Sequence, residues 1–260
     1  MRKPYIGITG ITKPSEVRAV LSTLPKNSNR KLMVGVLVTW KSLRGINTKP
    51  QWARQMPDPS VMNPIFLDDE RVVNLVHFST EENREDSVLA DLLAIERLSG
   101  SHFHGFQLNL AWPDIRMMRQ YRKFVGFERR IVLQIGQKAI EMAGGPKGIV
   151  ERLSPYIDAH LINDVLLDPS GGLGKPFDTE RAREILREIK RQKWHIGLGV
   201  AGGLGPDSLN LVQPLVEEFP ELSIDAQGRL RNAEYDLDIE AAKTYVLRAS
   251  QMFSQVPAIT

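Results

Sequence analysis

Short apolar runs alternate along the whole chain with segments whose apolar residues recur every three to four positions. Leu32–Val38 and Val72–Phe78 are two such runs, rich in Val and Leu as strands buried on both faces are. Segment 182–189 instead carries apolar residues at i, i+3, i+4 and i+7, the spacing of an amphipathic helix. The pattern therefore predicts strand–helix units that repeat from one end of the chain to the other.

Eight strands are predicted in this way. They are Tyr5–Ile8, Leu32–Val38, Val72–Phe78, His104–Leu110, Ile131–Ile135, Leu161–Leu167, Ile196–Val200 and Leu222–Ile224. Eight strands alternating with helices favour a closed barrel over an open doubly wound sheet. The 260 residues show no composition break that would mark a linker, and barrels of this length commonly form one unit. We therefore predict a single-domain (β/α)8 TIM barrel over residues 1–260.

The region where the second helix belongs departs from the pattern. Prolines stand at positions 50, 57, 59 and 64, and proline does not continue a helix interior. We predict a long proline-rich loop from Gly45 to Glu70, with at most a short helix around Trp52. In a barrel this loop lies on the face that carries chemistry, so it is either a lid or an ordinary insertion. Pro214 likewise predicts a kinked or shortened helix after strand seven.

Composition narrows the class of protein. Apolar residues make up 42% and charged residues 25%, the balance of a soluble globular protein. No apolar stretch approaches the roughly 18 residues of a membrane span, and the first residues have too short an apolar core for a secretory signal, so we expect a cytoplasmic protein. The chain has no cysteine, which excludes disulfides, thiolate metal sites and a cysteine nucleophile or base. The net charge of +3 gives no support to nucleic-acid binding.

Glycine-bearing turns follow predicted strands six, seven and eight. They contain Gly172, the pair Gly202 and Gly203, and Gly228. Glycine lets backbone N–H groups approach and point at an anion, and barrels commonly bind phosphate in the loops after strands seven and eight. These turns therefore predict a phosphorylated ligand. The alternative is that the glycines only connect elements.

Polar residues at other strand ends suggest further roles. Asp168 follows the apolar run of strand six, where its carboxyl group suits a general acid; the alternative is an aspartate that orders a turn. Thr9 ends strand one. Past strand two, Lys41 and Arg44 are candidates to bind a ligand carboxylate, Arg44 through its planar fork, and the alternative is a pair of solvated surface cations.

Taken in order, these segments resemble the phosphoribosylanthranilate isomerase family, the barrel enzymes of tryptophan biosynthesis. The similar segments are Gly7-Ile8-Thr9-Gly10-Ile11-Thr12, Lys41-Ser42-Leu43-Arg44, Gln107-Leu108-Asn109, Leu166-Leu167-Asp168 with Phe177-Asp178, Gly202-Gly203-Leu204 and Asp225-Ala226-Gln227-Gly228. The resemblance implies an Amadori rearrangement of a phosphorylated ribosylamine. In that reaction a general acid opens the sugar ring at its oxygen, and a general base removes the proton at carbon two.

The resemblance also implies roles for individual residues. Asp168 takes the place of the family's acid, and the substrate-binding positions are Arg44, Lys41, Gln107 and Asn109. The phosphate-binding positions are Gly172, Gly202, Gly203 and Gly228.

The family's base is a strand-one cysteine, and Thr9 stands in its place. A threonine hydroxyl has no basic form near neutral pH. His77 and Asp225 are candidates to replace the base; the alternatives are a packing histidine and an aspartate that orders its own glycine turn.

The chain differs from the family at several other positions. Asn109 replaces a histidine, Thr179 a tryptophan, Ala226 and Gln227 serines, and Leu230 a glutamate. Phosphate contacts made by backbone amides do not depend on these side chains. Two hypotheses follow: an isomerase that uses Asp168 and Thr9, or a non-catalytic barrel that binds a sugar phosphate or another anionic ligand.

Other chemistries find little support. Lys175 lies in a loop, so no strand end offers the lysine of a Schiff-base aldolase. His102 and His104 are typical of surface or packing histidines, and no nucleotide fingerprint follows the first strand. We expect no metal and no cofactor. The expected partner is a small-molecule phosphorylated sugar, with no nucleic acid and no membrane, and the expected state is a monomer or a homodimer.

Overall fold

Eight parallel strands pair in chain order and close on themselves, β8 against β1, to form a barrel. The computed structural model describes residues 2–170 and 177–255. The strands are β1 (Tyr5–Thr9), β2 (Lys31–Thr39), β3 (Val72–Ser79), β4 (Gly105–Asn109), β5 (Arg130–Gly136), β6 (Asp164–Asp168), β7 (Gly197–Ala201) and β8 (Ser223–Ala226). The predicted (β/α)8 barrel is confirmed.

Helices follow the strands and pack outside the barrel. They are α1 (Pro14–Leu21), α2 (Pro50–Ala53), α3 (Val88–Ser99), α4 (Ile115–Val125), α5 (Gln137–Ala143), α6 (Pro146–Asp158), α7 (Thr179–Arg191), α8 (Gln213–Glu218) and α9 (Ile239–Ser254). In α7 the buried residues are those with the predicted helical spacing, from Ala182 to Ile189. Burial of such apolar stripes against the strands provides most of the stability of the helices.

Successive residues of each strand face opposite sides of the barrel wall. In β1, Ile6 and Ile8 belong to the large apolar core between wall and helices, whereas Tyr5 belongs to a smaller cluster inside the barrel. All five residues of β1 are buried, which explains why the strand appears as an almost continuous apolar run. The alternation also places Thr9 on the inner side, at the carboxyl end of the strand.

Two predicted elements differ from the structure. Strand six is predicted to begin at Leu161, but β6 begins at Asp164. The Leu161 amide donates a hydrogen bond of 2.8 Å to Tyr156 O, so this residue belongs to the end of α6. The strand–helix alternation predicts one helix after strand five, and the structure has two, α5 and α6. Gly144 and Gly145 separate them, and both have positive φ, a conformation that glycine adopts without strain.

The connection between β2 and β3 contains the predicted short helix, α2, which includes Trp52. Two 3-10 helices follow, Pro59–Val61 and Asn63–Ile65. Met62, Ile65 and Phe66 are buried in the outer core. They therefore fill the place on the barrel wall that a regular second helix would cover.

The same connection reaches across β1 to the turn after β8. Gln55 is buried, and its side-chain oxygen accepts a hydrogen bond of 2.9 Å from Gln227 Nε2. Pro214 has the predicted effect on length: α8 has six residues, with this proline in its first turn, where no helical hydrogen bond is lost.

At the amino end of the barrel a buried ion pair occupies the interior. Arg130 donates to both carboxylate oxygens of Asp164, at 2.8 and 2.5 Å, and its guanidinium lies 5.0 Å from the ring centroid of Tyr5. A cleft of about 460 Å³ opens at this end, between Asp164 and Phe127. In barrels of this kind the amino end contributes to stability, and chemistry occurs at the opposite end.

Replacing Asp164 by alanine should strongly destabilise the protein, because Arg130 would keep a buried charge without its counter-ion. We expect the free energy of unfolding to fall by about 3 to 5 kcal/mol. Urea unfolding followed by circular dichroism measures the change. The control is Asp207→Ala, which breaks the exposed Arg248–Asp207 pair and should have a small effect. Equal losses in the two variants would contradict this account of Asp164.

Candidate active site

Polar side chains face the interior at the carboxyl end of the barrel. Six come from six different strands: Thr9, His77, Gln107, Gln134, Asp168 and Asp225. Five of the six are buried and Asp168 is partly exposed. These six residues, called the polar layer below, form the floor of the barrel mouth. Buried polar groups are normally hydrogen-bonded, so the partners within the layer determine its geometry.

Gln107 lies at the centre of the polar layer. Its side-chain nitrogen Nε2 is 3.0 Å from His77 Nδ1, 3.1 Å from Gln134 Oε1 and 3.1 Å from Asp225 Oδ2. An amide nitrogen has two hydrogens, so three acceptors share two donors. The Gln107 oxygen is buried and has no hydrogen-bond partner among the described residues. Gln107 therefore positions its neighbours from beneath the mouth.

Only one carboxylate oxygen of Asp225 accepts hydrogen bonds from the described residues. Its Oδ2 accepts hydrogen bonds from Gln107 and from Thr9 Oγ1, the latter at 2.8 Å. Its Oδ1 is buried without a partner in the described residues and lies over Gly7, where a Cβ atom would approach it to 2.8 Å. Burial is the main reason that the pKa of Asp225 is raised to about 6, and the nearby charge of Asp168 adds to it.

The pKa of His77 is shifted in the opposite direction. Burial lowers the pKa of its imidazole to about 4, so the ring is neutral at physiological pH. The neutral ring faces the Gln107 amide, and no carboxylate lies within salt-bridge distance of it in the described structure. His77 is therefore a weak base within the polar layer.

Asp168 lies at the edge of the layer that faces the mouth. Its Oδ2 accepts a hydrogen bond of 2.9 Å from Gln134 Nε2, and its Oδ1 accepts one of 2.6 Å from Ser170 Oγ. Four hydrogen bonds thus lead from Thr9 through Asp225, Gln107 and Gln134 to Asp168. The two positions predicted to carry the chemistry are connected by a continuous path.

The glycine turns after β7 and β8 lie beside this path. Gly202 and Gly203 have φ of 102° and 66°, and a Cβ on Gly202 would lie 2.7 Å from Asp168 Oδ1. Gly228 begins a 3-10 helix, and a Cβ there would meet no atom within 4 Å. The amides of these three glycines donate no hydrogen bond to another residue of the described structure. Gly172 lies outside the described residues, and its predicted role stays a prediction.

The two cations predicted to bind a carboxylate already have acidic partners. Arg44 Nη2 lies 2.7 Å from Asp91 Oδ1, and Lys41 Nζ lies 2.8 Å from Glu81 Oε1. Asn109, also predicted to contact substrate, is exposed at the end of β4. The substrate roles of these residues and of Gln107 stay predictions.

Sequence reasoning missed Gln134 and Arg231. Gln134 interrupts the apolar run of β5, and a polar residue inside a buried strand is a signal that could have found it. Arg231 follows the last glycine turn, and its buried guanidinium donates to Thr9 O and to Gly10 O, which fixes the end of β1 against the turn after β8. Local sequence gave no signal for this contact.

The fold and the polar layer define a (β/α)8 barrel with two carboxyl groups, Asp168 and Asp225, at the end where such barrels carry their chemistry. The chain is similar to the N-(5'-phosphoribosyl)anthranilate isomerase of Haloarcula marismortui, with 25% identity over 118 residues. This segment is 45% of the chain and spans about half, 51%, of that relative. No family model matches the chain.

Solved structures of two such enzymes have a similar fold. The phosphoribosyl anthranilate isomerases of Thermus thermophilus and Thermotoga maritima each align with a TM-score of 0.62, at 16% and 17% identity. Each alignment covers 95% of this chain and 99% of the other. The predicted resemblance to phosphoribosylanthranilate isomerases is confirmed. None of its described helices has the length and apolar character needed to cross a bilayer.

Replacing Asp225 by asparagine should stabilise the protein at neutral pH. The pKa of Asp225 rises from 3.8 to about 6 on folding, so the folded state retains a proton between about pH 4 and pH 6 that the unfolded chain releases. The free energy of unfolding of the native protein therefore falls as pH rises through this window. Asparagine has no proton to lose, so the variant should be more stable above pH 6, by up to about 3 kcal/mol.

Urea unfolding of both proteins from pH 4 to pH 8 measures this difference, which should vanish near pH 4. His77 titrates in the same window with the opposite sign, because its pKa is lowered, but it is present in both proteins and largely cancels. A stability difference that does not change with pH would contradict the raised pKa of Asp225.

Proposed function

We propose that this chain is an aldose–ketose isomerase of the phosphoribosylanthranilate isomerase type, acting on a phosphorylated ribosylamine. The observation that carries the proposal is the continuous hydrogen-bond path from Asp168 to Thr9, the two positions that correspond to the family's acid and base. The names of the relative and of the two structural neighbours agree with this activity. The corresponding role is a step of tryptophan biosynthesis in the cytoplasm.

Asp168 is assigned as the general acid. It is the member of the polar layer that is partly exposed at the mouth, and Gln134 and Ser170 hold its carboxyl group from two sides. Its proton passes to the ring oxygen of the sugar as the bond from that oxygen to carbon one breaks. The product of this step is an open-chain iminium ion.

Removal of the proton at carbon two is assigned to Thr9 and Asp225 acting together. That proton is acidic because the adjacent iminium group accepts the electron pair. Thr9 Oγ1 takes it while the hydroxyl proton of Thr9 passes to Asp225 Oδ2, 2.8 Å away. A carboxyl group with a pKa of about 6 is ionised at neutral pH and is a stronger base than His77, whose pKa is about 4.

Phosphate binding is assigned to the glycine turns after β7 and β8. The amides of Gly202, Gly203 and Gly228 have no acceptor in the described residues, and oriented backbone N–H groups bind phosphate well. Gly172 belongs to the same assignment on the basis of sequence alone. With the phosphate at this side of the mouth, the sugar lies over the polar layer.

Replacing Asp168 by asparagine should lower kcat by about 10²- to 10⁴-fold, because a positioned acid contributes a factor of this size. The rate of substrate loss, followed by its fluorescence, measures the effect. The control is Asp158→Asn at the end of α6, which should keep the native rate. Equal rates for the native protein and Asp168→Asn would remove the isomerase proposal. If a phosphoribosyl anthranilate analogue still bound, a non-catalytic sugar-phosphate binder would remain.

Thr9→Val, which removes the hydroxyl with little change in shape, should lower kcat by about 10²-fold or more. Thr9→Ser keeps the hydroxyl and should stay within about tenfold of the native rate, and Thr9→Cys should raise turnover. The native kcat should rise with pH up to about 6 as Asp225 ionises. A Thr9→Val variant with the native rate would show that the proton does not pass through this hydroxyl.

A further inference from the structure

A tryptophan surrounded by cations lies at the rim between β2 and β3. Trp40 follows the last residue of β2, at the carboxyl end of the barrel. The Arg84 guanidinium lies 4.1 Å from its ring centroid, Lys41 Nζ 5.4 Å and Arg44 Cζ 5.9 Å. Of the three cations, Arg84 lies nearest to the ring. This group of four residues is called the Trp40 cluster below.

Two cations of the Trp40 cluster are already neutralised. Arg44 pairs with Asp91, whose side chain is only 4% exposed and whose second oxygen is buried without a donor in the described structure. Removing Arg44 from that contact would leave a buried carboxylate without its counter-ion, which is costly. Lys41 pairs with Glu81 at the surface. Arg44 is therefore not free to meet a second carboxylate, and the charge of Lys41 is already balanced by Glu81.

Arg84 differs from both. No described acidic residue lies within salt-bridge distance of it, and its Nε is buried without a hydrogen-bond partner in the part of the chain that the structure describes. Trp40 restricts the guanidinium, so little conformational freedom is left to lose when an anion binds. A planar guanidinium with an unused donor suits a planar carboxylate, which can accept two parallel hydrogen bonds.

We propose that Arg84, held against Trp40, binds the carboxylate of an aryl carboxylate on the ligand and determines specificity for it. This inference deepens the proposed function and rests on it. The phosphate-binding turns follow β7 and β8, and the Trp40 cluster follows β2 and β3 on another side of the mouth. A ribosylamine phosphate bound between them places its sugar over the polar layer and its aryl group near Trp40. Arg44 keeps a structural role, as the partner of Asp91.

The test compares two stable, reduced analogues of the aminoketose phosphate, one with an ortho-carboxyphenyl group and one with a plain phenyl group. Isothermal titration calorimetry gives both affinities for the native protein and for Arg84→Met, Arg84→Gln and Arg44→Met. The native protein should prefer the carboxylated analogue by about ten- to hundredfold, the contribution of a charged hydrogen bond. Both Arg84 variants should lose this preference while still binding the phenyl analogue.

Arg152 provides a matched control, because its guanidinium lies 5.6 Å from the Trp112 ring and it belongs to α6, which packs outside the barrel. Arg152→Met should leave both affinities unchanged, and thermal melts show that each variant is folded. An unchanged preference in the Arg84 variants, or its loss in Arg44→Met alone, would overturn the proposal and leave the isomerase function standing. If neither analogue binds the native protein, the proposed function fails and this inference fails with it.

Discussion

A buried amide nitrogen with more acceptors than hydrogens organises the mouth of this barrel. Gln107 contacts His77, Gln134 and Asp225, which come from three other strands. Each of these side chains would otherwise face an interior with few donors, and a buried polar group without a partner costs about 1 to 3 kcal/mol. The positions of the two carboxyl groups therefore depend on one side chain that itself lies beneath the mouth. Strand pairing fixes that side chain in turn, since Gln107 pairs with Val132 and His77 in the sheet.

The two carboxyl groups have different surroundings, and this difference suits them to different tasks. Asp225 lies in the interior, where burial raises its pKa and leaves one oxygen without a donor. Asp168 lies at the surface of the same layer, with donors on both oxygens and access to solvent. One carboxyl group is thus shielded from solvent, whereas the other is open to the mouth. Because this pKa is raised, ionisation of Asp225 lowers the free energy of unfolding.

The sequence predicted the barrel because the signals for it are local. Apolar runs define the strands, and alternation along them places Thr9, Gln107 and Asp168 on the inner face. The contacts within the polar layer are not local: Thr9 and Asp225 are 216 residues apart and meet only because β8 pairs with β1. The acidic partners of Arg44 and Lys41 could not be predicted from local sequence either, since Asp91 lies on α3 and Glu81 lies beyond β3. The dipeptide Gly144-Gly145 is a local signal for the division into α5 and α6. The prediction used helical periodicity alone and therefore missed it.

The connection between β2 and β3 has two parts that should tolerate changes in length to different degrees. Its later part fills the outer core through Met62, Ile65 and Phe66, and Gln55 joins it to the turn after β8. Residues 45–49, in contrast, are mostly exposed. Insertions and deletions in homologues should therefore concentrate in that exposed stretch, where length can change without opening the barrel wall.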